Sequence, residues 1–262
     1  MEQLFGTDWT ITPAGGSTGE AYMASNHEKR LFLKRNSSPF LAVLSAEGIV
    51  PKLLWTKRMA NGDVITAQHW LEGRELDPEE MQHPQVARML SKIHHSPELL
   101  DMLLKIGKAP ILPNELLREI RLAFRNVQPD QIELYQAFKY LKETLSYVEN
   151  QPQVVCHCDL NHNNWLLSED GQLFLIDWDS AKVADPAMDI GMLLFWYIPE
   201  EDWGMWLEQY GATNEFIKER MYWYLMLYHV SNLLKEKEKS SAKAQQYLIQ
   251  LRRLLARVQS NI

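Results

Sequence analysis

The chain has 262 residues, of which 46% are hydrophobic and 23% charged, a composition that supports a globular fold with a sizeable core. Its formal net charge of −7 argues against direct nucleic-acid binding, and no apolar run approaches the roughly 20 residues that span a bilayer. Residues 1–5 lack the basic and apolar segments of a signal peptide, and two cysteines, Cys156 and Cys158, make no disulfide framework, so a cytoplasmic setting is expected.

Residues 9–12 and 21–24 read as short strands on either side of Gly15, Gly16, Ser17, Thr18 and Gly19. A glycine-rich hairpin brings backbone N–H groups against phosphates without side-chain obstruction. This one lacks the Gly-Lys-Ser/Thr of a Walker loop and the strict G-x-G-x-x-G spacing, and taken alone it is an ordinary turn. The apolar run 31–33 leads into Lys34, as in the kinase strand whose lysine meets the α- and β-phosphates of ATP; a solvated strand-end lysine is the plain alternative. A helix over 39–47 ends at Glu47, the only carboxylate between Lys34 and Asp63. Kinases place a glutamate here to pair with the lysine, while an exposed glutamate is the alternative. Two further strands, 48–55 and 63–71 around Ala60-Asn61-Gly62, complete a β-rich region.

From there the pattern turns helical. Val86, Met89, Leu90 and Ile93 give residues 84–94 one apolar helical face, ending at His94 and His95. Pro97, Gly107, Pro110 and Pro113 suggest a loop or short helix over 96–113. Two helices are expected over 114–149, broken near Pro129-Asp130, and a last one over 239–258. The stretch 195–228 is dense in Trp and Tyr; aromatics at helical spacing are usually core, with a minority free to line a pocket.

The chemistry-bearing stretch is His157-x-Asp159-x4-Asn164, after the apolar run 154–156, followed by a strand-like run 173–176 that ends in Asp177-Trp178-Asp179. The turn 168–171 makes the runs on either side of it a β-hairpin. Phosphoryl transfer from ATP needs a carboxylate to accept the proton of an attacking hydroxyl, and a carboxylate and an amide oxygen to hold Mg2+. Asp159 is the candidate base, with His157 beside it as a second catalytic candidate; Asn164 and Asp177 are the candidate metal ligands. The Cys-His-Cys run also raises zinc, but a structural zinc site needs four ligands and no second cysteine pair exists.

This stretch resembles the catalytic segment of the aminoglycoside phosphotransferase and choline kinase superfamily, H-G-D-L-x-x-x-N followed by I-D-W/F-D/E. Asp185-Pro186-Ala187-Met188-Asp189-Ile190 is similar to its D-P-x-x-D-L, and Leu90-Ser91-Lys92-Ile93-His94 to its L-a-x-L-H helix. Cys158 departs from the family glycine. The resemblance implies an α+β, two-lobed protein-kinase-like fold, with a small β-rich nucleotide-binding lobe over 1–70 and a larger, mainly helical catalytic lobe over 71–262. It implies ATP and Mg2+ as cofactors, Gly15 to Gly19 as a phosphate-covering loop, and adenine held by backbone groups near Gln68, His69 and Trp70. Asp189 would hold the catalytic segment or meet substrate; Asn161, His162 and Asp179 are further substrate candidates. Within the superfamily, the segments 157–164 and 176–189 are similar to the CcrZ-like bacterial cell-cycle regulators. That likeness implies ribose or 2-deoxyribose as acceptor, a cell-division role with FtsZ as partner, and recruitment to the division septum. Choline, ethanolamine or an aminoglycoside remains open as acceptor, as does a kinase-fold scaffold, although Lys34, Asp159, Asn164 and Asp177 are all present.

Overall fold

The computed structural model describes residues 5–6, 8–14, 20–127, 130–212, 216–236 and 241–260. In chain order, strands β1 (Thr10–Pro13), β2 (Ala21–Ser25) and β3 (Arg30–Arg35) precede helix α1 (Phe40–Ala46), and strands β4 (Leu53–Arg58), β5 (Val64–His69) and β6 (Gly73–Glu75) follow it. Helices α2 (Pro84–His94), α3 (Pro97–Lys105), α4 (Pro113–Val127) and α5 (Ile132–Glu143) come next. Strands β7 (Val154–Cys156), β8 (Trp165–Ser168), β9 (Leu173–Leu175) and β10 (Lys182–Ala184) lead into helices α6 (Ala187–Tyr197), α7 (Trp203–Tyr210), α8 (Ile217–Lys235) and α9 (Ala242–Ser260). The fold is α+β.

These elements gather into two compact units. One comprises Met1–Pro78, Ser96–Gly107 and Asn161–Asp177; the other comprises Glu79–His95, Lys108–Leu160 and Trp178–Ile262. The boundary at residue 70 read from the sequence divides the chain along its length, whereas each unit gathers separate stretches in space.

The first unit is built on an antiparallel sheet in the order β1-β2-β3-β5-β4. Side chains alternate between faces along a strand, so Leu31 and Leu33 of β3 bury together with Ala24, Ile65 and Ala67, against partly buried Trp9, Ile11, Tyr22 and Trp55. Phe32 and Lys34 then take the other face. Their paired residues share it: Met23 and Gln68 beside Phe32, Ala21 and Thr66 beside Lys34. A second, three-stranded sheet has the order β6-β8-β9. Gly73 of β6 lies so close to β8 that a Cβ would collide with the Leu167 carbonyl, which is why the connector 71–73 carries glycine there. Helix α3 packs on α1. It is nine residues long and starts where Ser96 Oγ accepts the Leu99 N–H at 3.2 Å, with Pro97 in its first turn. Of the loop or short helix that sequence reading left open over 96–113, the short helix forms, and Pro97 suits its first position because its missing N–H has no helical partner anyway.

The second unit centres on α8. Thirteen of its 19 residues are buried, as expected of a helix surrounded by others; α6, α9, α5 and α4 pack on it. Gly191 lets α6 approach closely, since a Cβ there would sit 3.2 Å from the Met221 Cα. Trp203, Tyr222, Trp223 and Tyr224 are core, and the Trp223 Nε1–H donates to the Leu141 carbonyl at 2.9 Å. Strand β7 pairs antiparallel with β10, a three-residue partner with no periodic signal of its own.

Candidate active site

In the second unit, β7 delivers the chain into the tight turn of His157, Cys158 and Asp159. Cys158 has φ +62°, in the left-handed region that costs an L-residue with a side chain about 1–2 kcal/mol. The residue departs from the family glycine, but the backbone keeps the turn that glycine would make. The strain is held by Asp189 near the start of α6. Its Oδ2 accepts the His157 N–H at 2.7 Å and its Oδ1 the Cys158 N–H at 2.8 Å. Asp189 is 1% exposed, and its Oδ2 also lies 3.2 Å from His94 Nε2. Tyr210 Oη lies 2.8 Å from His94 Nδ1. A neutral imidazole satisfies both contacts, with Nε2–H donating to the carboxylate and the phenol donating to Nδ1. Asp189 thus acts on the backbone of the turn and has no surface on which to meet substrate.

His157 is fully buried. Its Nδ1 accepts the Asp159 N–H at 3.3 Å, and its ring stands edge-on to Trp178, 4.7 Å between centroids. Read from the sequence as catalytic, it is buried and bonds the backbone of Asp159. Asp159, at the end of the turn, is exposed.

Behind the turn the two cysteines do not share one strand, because β7 ends at Cys156. The buried Cys156 thiol donates to the Asp185 carbonyl at 3.4 Å, and the Cys158 sulfur lies 3.6 Å from the Met188 sulfur. Both thiols are free. Burial first, and the Asp189 charge second, push both upward, so both sulfurs are protonated thiols in the metal-free chain. His94, Cys156 and Asp189 do bring ligand atoms within 4.8 Å of one another, but the contacts above already occupy those atoms. A second buried aspartate, Asp185, forms a bidentate pair with Arg220 of α8, 3.0 Å from Nε and 2.6 Å from Nη2. Sequence reading missed Arg220. Its signal is a cation beside the apolar run Met221 to Leu227, where burial demands a paired acid.

In the first unit, Asn164 closes the 3-10 turn His162–Asn164, whose cap is the Asn161 side chain accepting the Asn163 N–H at 3.2 Å. The Asn164 carbonyl accepts the Ile176 N–H at 2.8 Å. This bond ties the two ends of the β8–β9 hairpin together and brings Asn164 next to the residue before Asp177. Asp177 is exposed and has φ +61°, a second left-handed residue at the point where the strand must turn away. One carboxylate and one amide oxygen at a hairpin mouth form an all-oxygen donor pair, which fits Mg2+. Asp179 is exposed and lies in the second unit, in the 3-10 turn Trp178–Ser180; Asn161 and His162 belong to the first.

Also in the first unit, Lys34 is half-buried on the sheet face shared with Ala21 and Thr66. Glu47 caps the C-terminus of α1, with its N–H bonded to the Val43 carbonyl at 2.9 Å. The Gln68 side chain donates to the Pro51 carbonyl at 2.7 Å. The N–H groups of His69 and Trp70 go to the Lys52 and Arg30 carbonyls. Gly15, Gly16, Ser17, Thr18 and Gly19 lie outside the described residues.

The chain matches the model of the phosphotransferase enzyme family over residues 11–224. Solved structures share its fold. The choline kinase LicA from Streptococcus pneumoniae superposes with a TM-score of 0.64 at 18% identity, over 97% of this chain and 95% of that one. A choline/ethanolamine kinase family protein from Mesorhizobium loti gives 0.67 at 15% identity, over 97% and 91%. A spectinomycin phosphotransferase solved with ADP and spectinomycin gives 0.63 at 14%, over 94% and 92%. The fold is therefore kinase-like, and with the family model spanning most of its length the chain belongs to the phosphotransferase enzyme family.

Proposed function

We propose that the chain is an ATP- and Mg2+-dependent kinase that phosphorylates a hydroxyl of a small neutral sugar, ribose or 2-deoxyribose, with Asp159 as the base. The observation that carries the reading is the Asp189 clamp: a buried carboxylate fixes two consecutive N–H groups of a strained turn whose next residue is an exposed aspartate. Strain of this kind persists where the surrounding structure over-determines it, and it gathers at functional sites. Asp159 accepts the proton of the attacking hydroxyl, and His157 holds the Asp159 backbone in place. Asn164 and Asp177 hold the metal, Lys34 meets the phosphates, and Gly15 to Gly19 cover them. Mg2+, when bound, supplies neutralisation of the phosphate charge. The division into a nucleotide-binding lobe over 1–70 and an acceptor-binding lobe over 71–262 belongs to the same proposal.

Nucleotide complexes of fold neighbours, LicA with AMP and the spectinomycin enzyme with ADP, support ATP as donor. The sugar rests on similarity to the CcrZ-like regulators and on Asn161, His162 and Asn163, whose side chains suit several hydroxyls. Choline is the second reading, favoured by the fold neighbours named as choline kinases. The test is ADP release with ribose, 2-deoxyribose, choline, ethanolamine and an aminoglycoside at matched concentrations. Faster turnover of either amino alcohol than of both sugars rejects the sugar. The cell-division part of the reading, with FtsZ as partner at the septum, is tested by binding of purified FtsZ; no binding rejects it.

A further inference from the structure

Arg220 stands just before the apolar run 221–227 of α8 and is 2% exposed. Its partner Asp185 is fully buried. The guanidinium meets the carboxylate with both prongs, Nε on Oδ2 at 3.0 Å and Nη2 on Oδ1 at 2.6 Å. Taking two charges out of water is costly, and apolar residues of similar volume often fill such a place with equal or greater stability. Stability alone is therefore a weak reason for the pair. What an apolar contact lacks is direction: a forked guanidinium–carboxylate pair fixes distance and angle together.

The pair stands where the supports of the catalytic turn meet. Asp185 Oδ1 also accepts the N–H of Ala187, the first residue of α6, at 2.9 Å. The Asp185 carbonyl accepts the Met188 N–H at 3.0 Å and the Cys156 thiol at 3.4 Å, and Cys156 is the last residue of β7, directly before the turn. One helical turn after Asp185 comes Asp189, whose two oxygens hold the His157 and Cys158 N–H groups. The residue after Arg220, Met221, is the one that Gly191 approaches, so closely that a Cβ on Gly191 would lie 3.2 Å from the Met221 Cα. Two consecutive residues of α8 thus seat α6, one by a fork at its start and one by close contact at Gly191. A slide or roll of α6 would break the fork and carry Asp189 off the turn. All these residues belong to the second unit.

We propose that Arg220 is a positioning residue for phosphoryl transfer: through Asp185 it sets the register of α6 on α8, and so the place of the Asp189 carboxylate against the turn that carries Asp159. The proposal rests on the reading of Asp159 as the base.

The test compares the full wild-type chain with Asp185→Asn/Arg220→Met. This double variant removes both charges together and keeps a side-chain oxygen for the Ala187 N–H. Its urea midpoint should lie above that of Arg220→Met alone, which strands the Asp185 charge. ADP release is followed with MgATP and the acceptor that the wild type turns over fastest among ribose, 2-deoxyribose, choline, ethanolamine and an aminoglycoside. In the double variant kcat should fall by about tenfold or more, while the KM for MgATP stays within about twofold. The His157 and Cys158 amide protons should exchange about tenfold faster relative to those of Leu225 to Leu227. A kcat within about twofold of wild type, or unchanged relative exchange, overturns the proposal while the kinase reading stands. No ADP release by the wild type with any acceptor overturns the kinase reading together with the positioning of its base. Should the double variant fail to fold, Arg220→Lys, which keeps the charge without the fork, takes its place: faster exchange confined to His157 and Cys158 supports the proposal, and uniform acceleration or none overturns it.

Discussion

Asp189→Asn is the most informative perturbation of the turn, because it changes one atom type and almost no volume. The carboxylate accepts two backbone N–H bonds, at 2.7 and 2.8 Å, on separate oxygens. Charge-assisted bonds of this kind contribute about 1.5–3 kcal/mol each. Asparagine has one carbonyl oxygen, so at most one N–H keeps its acceptor, and the other faces an NH2 donor in a site that is 1% exposed. One bond is lost, a buried N–H is stranded and the surviving bond loses its charge, so a loss of about 3 kcal/mol is expected. That is a large share of a typical stability of about 5–15 kcal/mol. The turn also loses what offsets the left-handed Cys158, and displacement of Asp159 by an ångström should slow transfer by about 100-fold. Urea melts of the two proteins read the stability, and initial rates of ADP release at saturating MgATP read the turn. An Asp189→Asn protein with the wild-type midpoint and rate would show that the clamp holds nothing the reaction needs.

Asp177→Ala should weaken MgATP binding more than Asn164→Ala, since Mg2+ prefers a charged oxygen ligand to a neutral amide; calorimetric titrations showing equal, unimpaired affinities refute the metal pair. Cys158→Gly removes the left-handed strain and some thiol packing, so its stability should stay within about 1 kcal/mol of wild type, whereas β-branched Cys158→Val should cost about 2 kcal/mol or more; equal urea midpoints for the two contradict the strain argument. His229, buried in α8 and pushed by that burial to about 4 in the folded protein against 6.5 unfolded, binds its proton later than the unfolded chain does as pH falls. Its contribution is therefore full above about pH 6.5 and declines toward pH 4, by about 1.4 kcal/mol per unit and about 3 kcal/mol in all. The stability difference between wild type and His229→Phe should shift by that amount in urea melts across the window, and a pH-independent difference contradicts it.

Periodicity and turn chemistry made the β8–β9 hairpin, the strands around Lys34 and the α2 face legible, because each is a local pattern. The polar motif was legible for the same reason: Asp159 and Asn164 lie five positions apart in one stretch. The clamp was only half visible. Asp189 stood out through the segment similar to D-P-x-x-D-L, but its partner His94 lies 95 positions from it, and His94 in turn lies 116 positions from Tyr210, distances over which a single sequence carries no pairing signal. Strand β10 escaped because three residues show no alternation. The reach of the first unit into Ser96–Gly107 and Asn161–Asp177 escaped because packing, not chain order, assembles it. The left-handed Cys158 is the opposite case. Local rules favour glycine there, and a cysteine keeps the conformation only because Asp189 accepts from both N–H groups around it.

The account stands most directly on Asp159, and the measurement that reaches it is acceptor-dependent ADP release by wild type and Asp159→Asn, with MgATP affinity and urea midpoint taken on the same samples. The amide cannot accept the hydroxyl proton, so the rate should fall by about 10²–10⁴, while affinity and midpoint stay near wild type because the exposed side chain carries no core packing. Turnover by Asp159→Asn close to that of the wild type would contradict the assignment of the base.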